Sequence, residues 1–187
     1  MPLIDDTYLD GLRAQLDYSS LAATNGRSVS QGSEKDVMQK IARLSAARER
    51  SALEVGARLQ SAGFDPTEIQ AGIDRAKACG IIDDGRFAEA LIRGRVSAGK
   101  GRQGIELELD GHSIDPESVP GWPGAFGLGD EESEVARATR LLQAKPPTSA
   151  NFREAAYRKL IRKGFSSSVA ATASRVWSEG LGRIEPV

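Results

Sequence analysis

A short motif occurs three times in this chain, and this repetition constrains the fold more than any other feature. Each copy has a leucine, a glycine or serine four residues later, then an apolar residue and a polar residue that can cap a helix. The copies begin at Leu59, Leu109 and Leu160, about 50 residues apart. Self-similarity at a fixed period is typical of tandem units that stack to bury a shared core. The sequence therefore predicts three copies of one small unit.

Helix start and stop signals surround the motif. The run Ser51–Glu54 is a capping-box sequence, and the helix that it opens is predicted to close at Gly63. The pair Asp65-Pro66 supplies a cap and a first-turn proline for the next helix. A third helix is predicted to begin at residue 83 or 84 and to run to about residue 96. No segment alternates polar and apolar residues with a period of two, so the predicted fold class is all-α, without strands.

The unit is interpreted as a three-helix bundle, and three such repeats are predicted to follow one another along the chain. The expected segments are an acidic, flexible N-terminal tail and linker at 1–33, repeat 1 at 34–82, repeat 2 at 83–129, repeat 3 at 130–180 and a C-terminal tail at 181–187. Each unit alone would be marginally stable, and stacking would supply the missing burial.

The second repeat departs from the pattern. Ser113 stands where the other copies have glycine, and residues 120–129 contain two prolines and four glycines. The helix opened by Asp115 is therefore predicted to be very short, with a long loop after it. Two interpretations of Trp122 and Phe126 stay open: they fill the space left by the missing helix, or they are exposed anchors for a partner.

Composition excludes several classes of function. The chain of 187 residues has 25 Lys and Arg against 26 Asp and Glu, so it lacks the basic excess of a protein that coats nucleic acid. Its single cysteine, Cys79, and single histidine, His112, leave almost no material for a disulfide, a zinc site or a Cys-His catalytic pair. Cys79 is expected to be buried, and neither residue is given a role. Without a membrane-length apolar run or a signal sequence, the chain is expected to be cytoplasmic and to have no membrane partner.

Charge is unevenly distributed along the chain. Residues 1–36 carry a net charge of −3, residues 103–134 contain nine acidic and no basic residues, and residues 137–175 contain nine basic residues and one acidic residue. Residues 86–102 form a second basic group, with five basic residues against one acidic residue. Such segregation indicates either surfaces that face different partners or ordinary solvated helix faces.

Two local patterns could indicate ligands, but each has a simpler interpretation. Residues 99–104 are glycine-rich and basic, yet no strand precedes them and Lys100 is not followed by Ser or Thr, as a phosphate-binding loop requires. We interpret them as a flexible basic turn that could contact an acidic protein surface or a DNA phosphate. The acidic groups at 83–84 and 130–134 are interpreted as helix caps rather than metal ligands. No metal or cofactor is expected.

Four segments carry a resemblance to a known family. They are residues 47–64 with their Arg-Glu-Arg-Ser run, residues 80–88 with Asp-Asp-x-Arg-Phe-Ala, residues 99–109 and residues 160–166. In this order and spacing they resemble the RecX family of recombination regulators over about residues 38–177. The resemblance implies a curved, elongated all-α array of three tandem three-helix repeats. It further implies binding to the RecA recombinase filament on single-stranded DNA and inhibition of its ATPase and strand-exchange activities, without any catalytic residue.

Basic residues are the candidates for contact with a partner or, weakly, with DNA. Those on the helix before Gly164 are predicted to form one positive stripe, since they lie three to four residues apart. The ten candidates are Arg48, Arg50, Arg93, Arg95, Lys100, Arg102, Arg158, Lys159, Arg162 and Lys163. For each of them a solvated helix face is the alternative.

Two functions follow from these observations. The first is a non-enzymatic modulator, expected to be a monomer, that lies in the filament and opposes its ATP-coupled cycle. The second is a helical-repeat DNA-binding module that acts without the recombinase. Near-zero net charge argues against the second, and a salt titration of DNA binding distinguishes them.

Overall fold

The chain folds as a succession of helices. The computed structural model describes residues 34–149 and 151–181, which contain eight α-helices, two 3-10 helices and no strand. The α-helices are α1 (Glu34–Ala47), α2 (Ala52–Ser61), α3 (Pro66–Ala78), α4 (Asp84–Ser97), α5 (Arg102–Gly111), α6 (Glu131–Ala144), α7 (Phe152–Arg162) and α8 (Ser167–Leu181). The all-α prediction is confirmed. None of the helices in this part of the chain is long and apolar enough to span a membrane.

Three tandem three-helix repeats are present, and the middle one is reduced as expected. Its third helix is the 3-10 helix Pro116–Ser118, which Asp115 caps by accepting a hydrogen bond from the backbone N–H of Glu117 at 3.0 Å. Ser113 has a φ of 58°, a left-handed conformation that the equivalent Gly164 adopts without steric cost. The second repeat therefore keeps the turn geometry of the motif although it has lost the glycine.

Side chains that lie close in the sequence cap the N-termini of α2 and α3, as the sequence predicts. The Ser51 hydroxyl accepts a hydrogen bond from the backbone N–H of Glu54 at 3.1 Å, at the start of α2. Asp65 accepts one from the N–H of Thr67 at 2.8 Å, at the start of α3. These bonds satisfy donors that the first turn of a helix leaves unpaired.

Asp130 caps α6 in the same way. Its carboxylate accepts a hydrogen bond from the backbone N–H of Ser133 at 2.8 Å. In return, the Ser133 hydroxyl accepts a hydrogen bond from the backbone N–H of Asp130. Hydrogen bonds from Ser133, with the backbone bond the larger contribution, hold the pKa of the Asp130 carboxyl below its ordinary value. The interpretation of this acidic group as a cap is confirmed for Asp130.

The described residues pack into two compact units. The first contains residues 34–88 with 111–113, and the second contains residues 89–110 with 114–181. In the first unit α1 and α2 both pack against α3, and the core that these helices share is aliphatic. Its buried core consists of Val37, Ile41, Val55, Leu59, Ile69, Ile73, Ala76 and Ile82.

In the third repeat, which belongs to the second unit, α8 packs against both α6 and α7. This core combines small and aromatic side chains, which lets the helices approach closely around a few large rings. Its members are Ala138, Leu142, Ala156, Leu160, Phe165, Val169, Ala170, Ala173 and Trp177.

The loop after the first 3-10 helix belongs to the interior of the second unit. Trp122 and Phe126 are each only 9% exposed, and Leu128 is fully buried. The guanidinium of Arg93 lies 5.3 Å from the centre of the Phe126 ring, and that of Arg102 lies 5.9 Å from the Trp122 ring. The structure thus supports the interpretation of these aromatic residues as core rather than as exposed anchors.

Cys79 is exposed, which corrects the expectation that it is buried. The expectation arose because a free cysteine usually behaves as a small, buried side chain. However, α3 ends at Ala78, and the backbone N–H groups of Ile81 and Ile82 both donate to the carbonyl of Ala76. The chain turns there, and Ile82 takes the buried position instead.

Candidate partner-binding surface

Arg48 and Arg50 are both paired inside the first unit. Nη1 of Arg50 lies 2.5 Å from Oε1 of Glu54, and its Nε donates to the carbonyl of Leu44 at 2.8 Å. Arg48, which is half exposed, pairs with the same carboxylate. Arg50 is only 12% exposed and joins the end of α1 to α2, so its first role is to hold these helices together.

The neighbouring residues of the Arg-Glu-Arg-Ser run also make internal contacts. Glu49 accepts a hydrogen bond from Nε of Arg86 at 3.0 Å, and Nη2 of Arg86 donates to the carbonyl of Gly80 at 2.9 Å. The hydrogen bond with Glu49 is the main reason why the pKa of Arg86 is raised. Two segments that carry the family resemblance are therefore linked by an ion pair.

His112 lies 2.9 Å from the Ser51 hydroxyl through its Nδ1 atom. Such a pair has the composition of a nucleophile and its base, but Ser51 is fully buried and its hydroxyl also caps α2. The imidazole packs edge-on against Phe87, with ring centres 4.7 Å apart. We interpret His112 as a structural residue of the first unit.

Arg95 and Lys100 share one carboxylate in the second unit. Nε of Arg95 lies 2.8 Å from Oε2 of Glu108, and Nζ of Lys100 lies 2.7 Å from the same oxygen. Burial alone would raise the pKa of Glu108, but hydrogen bonds from Arg95 and Lys100 outweigh it and hold that pKa below its ordinary value. Both candidates are therefore partly neutralised within the protein.

Arg93 and Arg102 are also engaged in the second unit. Nη2 of Arg93 lies 3.4 Å from Oε2 of Glu89, and Nε of Arg102 lies 2.7 Å from Oε1 of Glu106. Because each guanidinium also lies over an aromatic ring of the loop, these side chains cover the buried loop as well as meeting solvent.

The predicted positive stripe on α7 divides into two parts. Nη1 of Arg158 lies 3.1 Å from Oε1 of Glu154, so its charge is offset by a carboxylate one turn away. Lys159, Arg162 and Lys163 have no carboxylate within 4.0 Å in the part of the chain that the structure describes. Of the ten candidates, these three alone lack such a pair among the described residues.

A fourth cation, Lys145, joins these three. Nζ of Lys159 donates to the backbone carbonyl of Lys145, and burial together with the positive charges of Lys145, Lys163 and Arg162 lowers the pKa of Lys159. We name these four residues, Lys145, Lys159, Arg162 and Lys163, the cationic cluster. Lys145 was not among the residues predicted from the sequence. The signal that could have found it is a lysine at the end of a helix, directly before Pro146-Pro147.

Close packing of glycines fixes one side of the cationic cluster. The backbone N–H of Gly101 donates to the carbonyl of Lys163 at 2.9 Å, and that of Gly104 donates to the carbonyl of Gly164 at 2.8 Å. A Cβ on Gly104 would lie 2.7 Å from the Cα of Gly164, so only glycine permits this approach. Nζ of Lys163 then donates to the carbonyl of Ala98 at 3.2 Å. Gly101 and Gly104 are buried, which corrects the interpretation of residues 99–104 as a flexible turn.

Comparison with known proteins identifies relatives of this chain. The family described as RecX, second three-helix domain, matches residues 83–119. The chain is 32% identical over 142 residues to a protein of Xanthomonas axonopodis pv. citri (strain 306) called "Regulatory protein RecX", covering 76% of this chain and 88% of the relative. A protein of the same description from Mycobacterium sp. (strain JLS) is 29% identical over 135 residues, covering 68% of this chain and 74% of that protein.

Solved structures agree at the level of the fold. The crystal structure of RecX from Lactobacillus salivarius matches with a TM-score of 0.56 at 21% identity, covering 78% of this chain and 99% of that one. A second crystal structure, of a regulatory protein RecX, matches with a TM-score of 0.55 at 18% identity, covering 76% and 73%. The helical repeats and the sequence similarity thus lead to one assignment. The chain belongs to the RecX family of regulatory proteins.

Proposed function

We propose that this chain binds the RecA recombinase filament on single-stranded DNA and lowers its ATPase and strand-exchange activities, and so modulates homologous recombination and DNA repair. Membership of the RecX family carries the proposal, since the similarity extends over 142 residues to proteins described as regulatory. In this proposal the chain is a cytoplasmic monomer that performs no catalysis itself. Its effect on the recombinase comes from binding alone.

The cationic cluster supports the proposal as a surface that can hold a filament. A filament on DNA offers phosphates and acidic protein groups, and cations that lack an internal carboxylate are attracted to both. The charges of the other seven candidates are already partly neutralised by internal ion pairs. We therefore place the main electrostatic contact on the third repeat.

Inhibition follows from differential binding. A ligand that binds one filament state more tightly than the others shifts the population towards that state by the difference in binding free energy. ATP hydrolysis requires the filament to pass through several states in each cycle. A protein that holds one of them slows turnover without touching the nucleotide.

The experiment that tests this proposal follows ATP hydrolysis by RecA on single-stranded DNA as the full-length chain is added. We expect RecA hydrolysis to fall at concentrations of the chain that leave the ATPase of an unrelated DNA-stimulated helicase unchanged. Unchanged RecA hydrolysis would contradict the proposal. Equal inhibition of both enzymes would also contradict it, because sequestration of the DNA would then explain the effect.

A further inference from the structure

The cationic cluster is built from two fixed and two exposed cations. Lys159 and Lys163 are partly exposed residues, and their ammonium groups donate to the main-chain carbonyls of Lys145 and Ala98 at the protein surface. Lys145 and Arg162 are exposed beside them. Because carbonyls orient an ammonium without neutralising it, the cluster keeps its positive charge in a defined place.

Among the described residues, no carboxylate lies within 4.0 Å of any of the four cations of the cationic cluster. Burial and the three neighbouring cations lower the pKa of Lys159, so its charged form is less favoured than that of a free lysine. A single carboxylate would neutralise one of the four charges. A polyanion, whose charges follow one another at a spacing of a few ångströms along one strand, can neutralise several of them together.

The composition of the cationic cluster favours a phosphate backbone over base recognition. Three of its four members are lysines, which act as point charges, and contacts of this kind with phosphates carry no sequence information. The cluster contains no aromatic side chain on which a base could stack. The expected contact is therefore indifferent to base identity and depends strongly on salt.

We propose that the cationic cluster binds the phosphodiester backbone of single-stranded DNA, with Lys145 as a direct contact. The inference rests on the proposed function, in which this strand is the one that the RecA filament encloses. It replaces the predicted stripe of Arg158, Lys159, Arg162 and Lys163 with a site that spans the end of α6 and the end of α7. Arg158 lies outside the site because its charge is already offset by Glu154.

The test uses fluorescence anisotropy of a labelled oligothymidylate titrated with the full-length chain at several salt concentrations. The variant Lys145→Gln/Arg162→Gln removes the two exposed cations of the cationic cluster. The matched control Arg158→Gln/Arg175→Gln removes two exposed cations of the same repeat that pair with Glu154 and Glu179. Both variants lose two positive charges, so net charge alone cannot separate them.

We expect the cluster variant to bind at least about fivefold more weakly, and the slope of log affinity against log salt to become shallower by about 1.4, since each phosphate contact contributes about 0.7. The control should change affinity less than about twofold. Equal losses in the two variants, an unchanged cluster variant or a lack of binding by the wild-type chain would each overturn the inference.

The RecA ATPase assay separates this inference from the proposed function. If the cluster variant loses inhibition of RecA but binds oligothymidylate as the wild type does, the cationic cluster faces protein carboxylates, and only the inference fails. If the wild-type chain binds oligothymidylate through the cationic cluster but leaves RecA hydrolysis unchanged, the inference stands and the proposed function fails.

Discussion

The carboxylate of Glu134 accepts a hydrogen bond from the backbone N–H of Arg102 at 2.9 Å, and so caps α5 from the first helix of the following repeat. The same relationship occurs 50 residues earlier, where Asp84 accepts a hydrogen bond from the N–H of Ala52 at 2.8 Å at the start of α2. In both places the acid lies 32 residues after the donor. A helix cap supplied by the following repeat therefore recurs along the chain, and it links successive three-helix repeats.

Replacement of Glu134 should be costly. Glu134 is 5% exposed and also pairs with Arg137, which is itself largely buried. We expect Glu134→Ala to lower the free energy of unfolding by about 3 kcal/mol, because it leaves a buried cation and a helix N–H without their acceptor. Exposed Glu132, in the same turn of α6, is the control, and Glu132→Ala should cost no more than about 0.5 kcal/mol. Urea denaturation measures both, and equal losses would contradict the account of the cap.

The glycine contact between α5 and the turn after α7 gives a second prediction. Gly104→Ala places a Cβ 2.7 Å from the Cα of Gly164, so the backbones must separate, and we expect a loss of about 2 kcal/mol. At Gly94, inside α4, an added Cβ would meet no atom of a neighbouring element within 4 Å. Gly94→Ala should raise the free energy of unfolding by about 0.5 to 1 kcal/mol. If thermal unfolding shows Gly104→Ala to be as stable as the wild type, the glycine contact is not tight in solution.

Truncation of Trp122 tests whether the proline- and glycine-rich loop belongs to the core. Because Trp122 is 9% exposed and contacts both Phe126 and Arg102, we expect Trp122→Ala to cost about 3 kcal/mol. Leu107, which is 65% exposed, is the apolar control, and Leu107→Ala should change stability by no more than about 0.5 kcal/mol. Chemical denaturation followed by circular dichroism compares them. A stable Trp122→Ala protein would return this residue to the role of a partner anchor.

Glu108 makes the second unit sensitive to acid. Its pKa is below the ordinary value in the folded protein, so its contribution to stability is present above the unfolded pKa and is lost as the pH falls through the folded pKa. We therefore expect Glu108→Gln to be less stable than the wild type at neutral pH, with the difference shrinking below about pH 4.5. Denaturant titrations at several pH values measure this. A difference that is independent of pH would show that the pairs with Arg95 and Lys100 are not ionic.

The fold was largely predictable from the sequence because its determinants are local. Ser51 and Asp65 lie within three residues of the N–H groups that they cap, and Gly63 and Gly164 end their helices through their own backbone conformation. The repeated motif then revealed the tandem arrangement. Cys79 was placed wrongly because the usual burial of free cysteine says nothing about where the chain turns, and here the helix ends at Ala78 and leaves Cys79 exposed.

The site was less predictable because charge compensation depends on distant residues. Arg95 meets Glu108 from α4 and Lys100 meets it from the turn before α5, whereas Lys159 meets Lys145, 14 residues earlier in the chain. Neither spacing distinguishes a neutralised cation from an uncompensated one in the sequence. Glu134 was recognised as part of a helix-capping acidic group, but its partner Arg102 lies 32 residues away and no local pattern indicates the contact.

Inhibition of RecA by charge-reversed variants tests the central claim most directly. In the ATPase assay on single-stranded DNA, we compare the wild type with Lys145→Glu/Arg162→Glu and with the control Arg158→Glu/Arg175→Glu, after circular dichroism has shown that all three are folded. We predict that the first variant inhibits at least about tenfold less well, because attraction to the filament becomes repulsion, while the control stays within about threefold of the wild type. Full inhibition by folded Lys145→Glu/Arg162→Glu would contradict the claim that the cationic cluster holds the filament.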